Sequence, residues 1–196
     1  MGLDVVKFVK TVNGNISALS IENALYHLNT PKFSVSITAT ATDSQNQDAS
    51  GGKSYNTAHA FIDVDEAVVL MYQLRSNIPQ SMKNVFNSYK GGSDKKFNNQ
   101  IISRVFHVKH NPDLNNFIFI VEIMEGEQGY AINKSGIKVP GIVKPKHGGK
   151  SFMRNSFSLN KDEALYCSYM LEFELQAWRT IINSEFYRHP EKFQRR

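Results

Sequence analysis

The sequence predicts an α+β fold in which a group of strands followed by a helix occurs twice. The first observation is a repeated phrase, because Asp65-Glu66-Ala67 in the first half corresponds to Asp162-Glu163-Ala164 in the second. A tyrosine and a leucine follow each triplet at the same spacing, Tyr72 and Leu74 in one case and Tyr169 and Leu171 in the other. The second observation is that strand-like apolar stretches precede both phrases, which indicates an internal duplication.

Each phrase is predicted to begin a helix. Asp63 and Asn160 are favourable N-cap residues, and Glu66 and Glu163 follow them at the capping-box spacing. A metal or acid–base site built from Asp63, Asp65 and Glu66 is the alternative. Acidic residues are favoured at helix N-termini in any case, so the capping interpretation is preferred.

Alternation defines the strands of the first half. Residues 5–12 alternate loosely and predict a short strand, whereas residues 16–28 are ambiguous between strand and helix. Residues 32–42 place Phe33 and other apolar side chains on one face and Ser, Thr and Lys on the other, which predicts a half-buried strand. We expect Phe33 to lie in the core. Residues 57–62 predict a short strand that leads into the first helix.

In the second half, residues 101–109 and 117–123 predict two strands joined by a turn at Asn111-Pro112-Asp113. Residues 126–149 are rich in Gly and Lys and are predicted to be weakly structured. Residues 151–159 predict the last strand, and a long helix is expected to run from Asn160 to about residue 182.

The composition of the chain limits the classes of function that it can have. The 196 residues carry a formal charge of +5 and a pI near 9.2, which is consistent with a polyanionic partner. We expect one domain over residues 1–196, with internal halves at about 10–89 and 98–184 and a basic tail at 185–196. No apolar run is long enough to span a bilayer, so no membrane partner is expected.

The single cysteine, Cys167, cannot form an internal disulfide and is expected to be a buried structural thiol. The N-terminus lacks a signal-peptide pattern. Together these features predict a cytoplasmic protein, with an organelle as the alternative if a transit peptide has been removed.

Nothing in the sequence argues for catalysis. The six histidines are scattered and one cysteine excludes the common zinc spacings, so no metal is expected. The segment from Lys90 to Lys96 has the glycines of a phosphate loop but lacks its spacing and its following helix. We therefore predict no enzyme activity, no catalytic residues, no cofactor and no small-molecule substrate.

The most informative functional feature of the sequence is that aromatic residues lie close to positively charged residues on the predicted strands and their loops. Single-stranded nucleic acid is held by cations along the phosphates and by rings on which bases stack. No basic recognition helix suited to a duplex groove is evident. The candidate nucleic-acid-binding residues are Lys32, Ser34, Lys53, Tyr55, Lys90, Lys95, Lys96, Arg104, Phe106, Lys109, Lys144, Lys146, Lys150, Phe152 and Arg154, with Tyr55, Phe106 and Phe152 expected to stack bases or pack beside them.

A family resemblance rests mainly on residues 90–123. This stretch contains Lys90-Gly91-Gly92-Ser93-Asp94, then Ser103-Arg104-Val105-Phe106-His107-Val108-Lys109, a turn with proline, and Phe117-Ile118-Phe119-Ile120-Val121. In this order the segments resemble the Whirly family of single-stranded DNA-binding proteins. The join of strand and helix at residues 61–74, and the last strand with its long helix, extend the resemblance over about residues 10–182.

The resemblance implies two antiparallel four-stranded sheets packed like blades, related by a pseudo-two-fold duplication, with a helix after each. It makes residues 17–22 a strand. It implies a homotetramer held by the helices, which binds single-stranded DNA along the sheet edges with little sequence preference, in replication, recombination or repair. The stretch from residue 126 to residue 150 is longer and more basic than the resemblance leads us to expect.

Two other functions remain open. The first is an RNA-binding or annealing factor of the same fold, because the sequence does not show whether a 2′-hydroxyl is recognised. The second is a structural or interaction protein of a virus or mobile element. That protein would have no affinity for nucleic acid and would expose an apolar patch.

Overall fold

The computed structural model describes residues 4–12, 15–25, 31–40, 55–79, 83–90, 96–97 and 100–189. These residues form ten strands and two helices. In chain order they are β1 (Asp4–Val12), β2 (Asn15–Ala24), β3 (Lys32–Thr40), β4 (Tyr55–Asp63), α1 (Val64–Arg75), β5 (Asn84–Lys90), β6 (Lys96–Phe97), β7 (Gln100–Asn111), β8 (Asn116–Ile132), β9 (Lys138–Pro145), β10 (Ser151–Asn160) and α2 (Lys161–Arg188).

The first sheet is an antiparallel meander with the order β1-β2-β3-β4. Phe33, Val35 and Ile37 on β3 are fully buried, and the residues between them face outward, as the alternation predicts. Phe33 therefore lies in the core, as expected. The ambiguous stretch after residue 15 is a strand, β2, because it pairs along its length with both β1 and β3.

The second sheet has the order β10-β8-β7-β5, with β6 added to β7 and β9 added to β8. The two antiparallel sheets and two helices confirm the α+β class. The second sheet differs from a plain four-stranded sheet by these two additional strands. The first internal half was expected to end at about residue 89 and the second to begin at about residue 98. This boundary falls inside the second sheet, because β5 pairs with β7 from Asn84 to Lys90.

The prediction that residues 126–149 are weakly structured is wrong. β8 continues to Ile132 and pairs with β9. The sequence pattern misses this region because most of its side chains are exposed, so backbone pairing is not accompanied by an apolar face. We call residues 126–132 of β8, residues 138–145 of β9 and the turn between them the ribbon.

Both helices begin at the predicted capping positions. The Glu163 N–H donates to Asn160 Oδ1 and the Asn160 N–H donates to Glu163 Oε2, both at 2.8 Å. At the start of α1, the Asp63 N–H donates to Glu66 Oε2 at 2.8 Å. α2 is longer than expected and ends at Arg188 rather than near residue 182.

The helices pack on each other beside the sheets. Arg75 Nη2 donates to Glu172 Oε2 at 2.7 Å, and Lys161 Nζ donates to the carbonyl oxygens of Leu74 and Ser76. Neither of the two described helices has the length and apolar character needed to cross a membrane.

One apolar core joins the two sheets and the helices. Asn155 on β10 links the sheets directly, because its Nδ2 donates to the carbonyl oxygens of Ile37 at 2.8 Å and Asn56 at 2.9 Å. Cys167 is fully buried, as predicted, and burial raises the pKa of its thiol to about 12. The thiol is therefore protonated at neutral pH and serves as a small apolar group.

Candidate nucleic-acid interface

A cleft of about 780 Å³ lies where β4 meets β5 and β7. We call it the inter-sheet cleft. It brings together three of the predicted cations that are far apart in the sequence, Lys32, Lys90 and Arg104, and places them around the ring of Phe61. Tyr89 from β5 and Ile142 from β9 also line the cleft.

Strand alternation explains why Phe61 faces the cleft. Ala60 and Ile62 on either side of it are buried, so the Phe61 side chain points to the other face of the sheet. Ser34 on β3 is directly opposite Phe61 and shares that face. Lys32 lies across the ring, with Nζ 4.5 Å from the ring centroid, which is a cation–π contact.

Arg104 reaches the cleft from β7 and is anchored to His59. Its Nη1 donates to His59 Nε2 at 2.5 Å and to the His59 carbonyl oxygen at 3.2 Å. Burial, and after it the charge of Arg104, lowers the pKa of His59. The imidazole is therefore neutral at neutral pH and accepts the hydrogen bond. Burial also lowers the pKa of Arg104, but an arginine remains charged at any physiological pH.

Lys90 has a different environment from the one predicted. Its Nζ lies 2.5 Å from Asp63 Oδ2 and 3.1 Å from Glu66 Oε2, the two carboxylates at the start of α1. Burial alone lowers the pKa of Lys90, but hydrogen bonds and charge from Asp63 and Glu66 outweigh it and raise the pKa. A phosphate at Lys90 would have to compete with both carboxylates, so its first role is to tie β5 to α1.

A second groove of about 520 Å³ runs beside β10 and is lined by Phe152 and Arg154. We call it the β10 groove. The Lys150 Nζ lies 6.0 Å from the Phe152 ring centroid, and Arg154 is exposed. Three of the predicted residues therefore meet here. Tyr55 occupies the strand position opposite Thr40, which lines the same groove, but its side chain is outside the described residues.

The assignment of Phe106 as a stacking ring is wrong. Phe106 is fully buried and its ring centroid lies 5.7 Å from that of Phe86 and 5.9 Å from that of Phe119. Phe86 belongs to β5 and Phe119 to β8, the two strands that pair with β7, and all three rings lie in the apolar core shared by the sheets and the helices. A ring in this position packs the core and cannot receive a base.

The remaining predicted residues are dispersed. Lys109 is half-buried on β7, opposite Asn84 and Ile118. Lys144 and Lys146 are exposed at the end of β9, and Lys146 Nζ is hydrogen-bonded to Glu125 Oε1. Lys53 and Lys95 lie outside the described residues. So does the side chain of Lys96, whose backbone belongs to β6.

Sequence reasoning missed Phe61 and Tyr89 as groove residues. The alternation of Ala58, Ala60 and Ile62 could have placed Phe61 on the outer face. No local pattern places Tyr89 beside Arg104, because their proximity comes from the pairing of β5 with β7. Across the described ranges, no three His, Cys, Asp or Glu side chains come together in a way that could hold a metal ion.

No protein-family model matches this chain, and no curated protein matches it either. The geometry of the two grooves is therefore the basis on which a function can be argued. Both grooves combine an aromatic ring with cations from different strands, and both are open to solvent along one side.

Proposed function

We propose that this chain is a single-stranded DNA-binding protein that recognises little or no sequence and protects or organises single strands in replication, recombination or repair. The observation that carries the proposal is the inter-sheet cleft. There the ring of Phe61 lies beneath Lys32, and Arg104 lies in the same wall. A ring in a groove with cations is the combination that holds unpaired nucleotides.

The contacts suggest how a nucleotide would bind. Lys32 covers the face of Phe61 and, among the described residues, its ammonium group forms no hydrogen bond or ion pair, so a base could displace it and stack on the ring. The displaced Lys32 and the anchored Arg104 would then contact phosphates. A base stack contributes roughly 1–3 kcal/mol and does not depend on base identity, which supports binding without sequence preference.

The β10 groove would hold a further part of the strand. Phe152 offers a ring, and Lys150 and Arg154 offer cations. Lys10, which also lines this groove, is already bound to the Ser158 carbonyl oxygen at 2.7 Å and to Glu163 Oε2 at 2.8 Å. We therefore assign phosphate contact here to Arg154 and Lys150 and leave Lys10 a structural role.

The order of elements supports a Whirly-like duplication as part of the proposal. β1 to β4 are followed by α1, and the path β5-β7-β8-β10 is followed by α2, in both cases with neighbours in sequence order. Each helix begins with the same Asp-Glu-Ala triplet. The ribbon and β6 would be additions to the second unit.

We assign the helices to self-association, with a homotetramer as the expected assembly. Tyr72 on α1 is 71% exposed and Phe173 on α2 is 62% exposed, and Tyr169 is exposed beside Arg75, whose guanidinium carbon lies 4.4 Å from the tyrosine ring centroid. Large exposed apolar areas of this kind mark interaction sites. We call the exposed apolar surface of α1 and α2 the helical face.

The helical face also favours a second candidate, a structural or interaction protein of a virus or mobile element. Such a protein would use the same apolar surface for a partner and would not need the grooves. Binding to nucleic acid separates the two candidates, because only the first requires cations and rings to act together.

The experiment is a binding titration of the intact protein with a single-stranded DNA, an RNA of the same sequence and a blunt duplex, each at two salt concentrations. We expect at least about tenfold tighter binding to single-stranded DNA than to duplex. The logarithm of the affinity should fall with the logarithm of salt by about 0.7 per phosphate contact.

Each other result has a definite meaning. Equal affinity for the duplex would contradict stacking, and a weak salt dependence would contradict the assignment of lysine and arginine to phosphates. Tighter binding to RNA would identify the RNA-binding alternative. A stable oligomer with no affinity for any of the three ligands would identify the interaction protein.

A further inference from the structure

The ribbon is a projecting element that the second sheet does not need for its own pairing. β8 is bound by β7 and β10 within the sheet, and only beyond Glu125 does it pair with β9. From Tyr130 to Lys138 every residue is exposed. An isolated two-stranded hairpin is at best marginally stable in water, so the outer part of the ribbon, which is exposed on both faces from Tyr130 to Lys138, calls for a functional explanation.

The ribbon has a defined bend near its base. The register shifts between Gln128 and Tyr130, and Gln128 Nε2 donates to the carbonyl oxygens of Gly129 at 2.7 Å and Gly141 at 3.0 Å. A Cβ atom at Gly129 would lie 2.4 Å from the Ile142 carbonyl oxygen. The close approach of the strands at this point therefore requires glycine, and the Gln128 side chain holds both strands together.

Hydrogen bonds also hold the turn at the tip of the ribbon. Asn133 Oδ1 accepts hydrogen bonds from the Ser135 N–H at 3.0 Å and the Ile137 N–H at 2.9 Å, and the Asn133 N–H donates to the Ile137 carbonyl oxygen at 3.0 Å. Gly136 has a φ of +75°, a value that favours glycine. This turn holds Ile132 and Ile137 on either side of the tip, where they are 77% and 60% exposed.

Positive charge surrounds these apolar side chains. The ribbon contains three lysines, Lys134, Lys138 and Lys144, and one acidic residue, Glu127. Lys138 is directly opposite Ile132, and its Nζ lies 4.2 Å from the centroid of the Tyr130 ring. Exposed isoleucine beside lysine on a two-stranded ribbon suits duplex DNA, since ribbons fit its grooves and apolar side chains pack against base steps.

The base of the ribbon is continuous with the inter-sheet cleft. Ile142 on β9 is 64% exposed and lines the cleft together with Phe61 and Arg104. Gly126 and Val143 pack closely at the same end, so the ribbon starts at a fixed position. A nucleic acid that leaves the cleft on this side would meet the lysines of the ribbon next.

We propose that the ribbon binds duplex DNA directly beside the single strand held in the cleft, so that the preferred ligand is a junction between single-stranded and double-stranded DNA. Ile132 and Ile137 pack against the last base pair, and Lys134 and Lys138 contact phosphates of the duplex. This inference rests on the proposed function and narrows its substrate.

The test compares a single strand with a duplex that carries the same single strand as a tail, using the intact protein and the double variant Ile132→Ser, Ile137→Ser. We expect the unmodified protein to bind the tailed duplex roughly tenfold more tightly than the single strand. The variant should lose this preference while its affinity for the single strand stays unchanged. Leu114→Ser, at an exposed leucine in the turn between β7 and β8, is the matched control and should keep the preference.

Three results would overturn the inference while leaving the proposed function intact. In the first, the unmodified protein binds both ligands equally. In the second, the variant keeps the preference, which would suggest that the ribbon contacts another protein. A variant weakened equally on both ligands would also overturn it, because the ribbon would then lie on the path of the single strand. If the unmodified protein fails to bind the single strand at all, it is the proposed function that fails.

Discussion

The helical face and the ribbon both expose large apolar side chains, but their charges are opposite. α1 and α2 together carry seven carboxylates against four cationic side chains, whereas the ribbon carries one carboxylate against three lysines. An acidic apolar surface repels a polyanion and suits another protein chain, and a basic one attracts phosphate. The comparison teaches that apolar exposure marks an interaction surface, while the charge around it selects the class of partner.

The two regions also differ in how they are supported. The inner side of α2 is anchored in the core by Leu171 and Leu175, so the helical face is held rigidly against the sheets. The ribbon has no such inner side near its tip and depends on backbone pairing and on Gln128. A rigid surface is suited to a permanent interface between copies, and a projecting one to a ligand that is bound and released.

The largest effect is expected from the double variant Tyr72→Glu, Phe173→Glu on the helical face. Each change places a charge in an apolar interface that is already acidic, and central aromatic residues commonly dominate the energy of such interfaces. We expect the dissociation constant of the oligomer to rise by more than about 100-fold. Light scattering should then give a mass near the 22.2 kDa of one chain.

The ribbon variant Ile132→Ser, Ile137→Ser is the control for this measurement and should leave the mass unchanged. If the unmodified chain is already monomeric, the assignment of the helical face to self-association fails. If the ribbon variant dissociates the oligomer and the helix variant does not, the two regions have been assigned the wrong way round.

The next effect concerns the ring in the inter-sheet cleft. Phe61→Ala should weaken binding to single-stranded DNA by about 1–3 kcal/mol, the contribution of one base stack. Phe61→Tyr keeps the ring and should retain most of the affinity. A thermal melt of both variants separates loss of stacking from loss of fold, since Phe61 is partly buried. Unchanged affinity in Phe61→Ala would contradict the cleft as the binding site.

A smaller effect is expected from two single variants, one of which removes a cation from the inter-sheet cleft and the other a cation from the helical face. Arg104→Ala should lower the affinity for single-stranded DNA by roughly tenfold and reduce the salt slope by about 0.7. Arg179→Ala, at an exposed position on α2, makes the same change in net charge on the helical face. Equal losses in the two variants would mean that overall charge, and not the cleft, attracts the nucleic acid.

Much of the fold could be predicted from the sequence because its determinants are local. The β3 strand follows from alternation around Phe33, and the helix starts follow from a capping residue three positions before a glutamate. The ribbon escaped prediction for the opposite reason. Gly129 and Gly141 lie at its bend and few of its side chains are buried, so the apolar pattern is weak, and its existence depends on backbone pairing across a turn.

The candidate site was harder to predict than the fold, because each error came from a contact between distant parts of the chain. Lys90 has a basic, flexible-looking context, but Asp63 lies 27 residues before it and binds its ammonium group. Phe106 lies two residues after Arg104 on β7, where a ring could be on the surface. Its strand lies between β5 and β8, however, and the ring is fully buried. Charge and ring type are visible in a sequence, whereas their availability is decided by tertiary pairing.

The smallest effect expected is a pH dependence of the free energy of unfolding that arises from the inter-sheet cleft and not from the helical face. Neither α1 nor α2 contains a histidine, whereas His59 accepts a hydrogen bond from Arg104. Burial, with the charge of Arg104, holds the pKa of His59 below its ordinary value of about 6.5. Below that pH the unfolded chain therefore binds a proton that the folded chain resists, so the free energy of unfolding falls as pH decreases.

We expect His59→Gln to make this decline shallower between about pH 7 and pH 5. Glutamine can still accept a hydrogen bond from Arg104 through Oε1, so the contact is kept while the titration is removed. His59 is only partly buried, and solvent screening limits the difference to a fraction of about 1 kcal/mol. Urea titrations at several pH values measure it. A decline as steep as that of the unmodified chain would show that folding does not lower the pKa of His59. Oligomer mass should stay constant over the same range, because α1 and α2 contain no histidine.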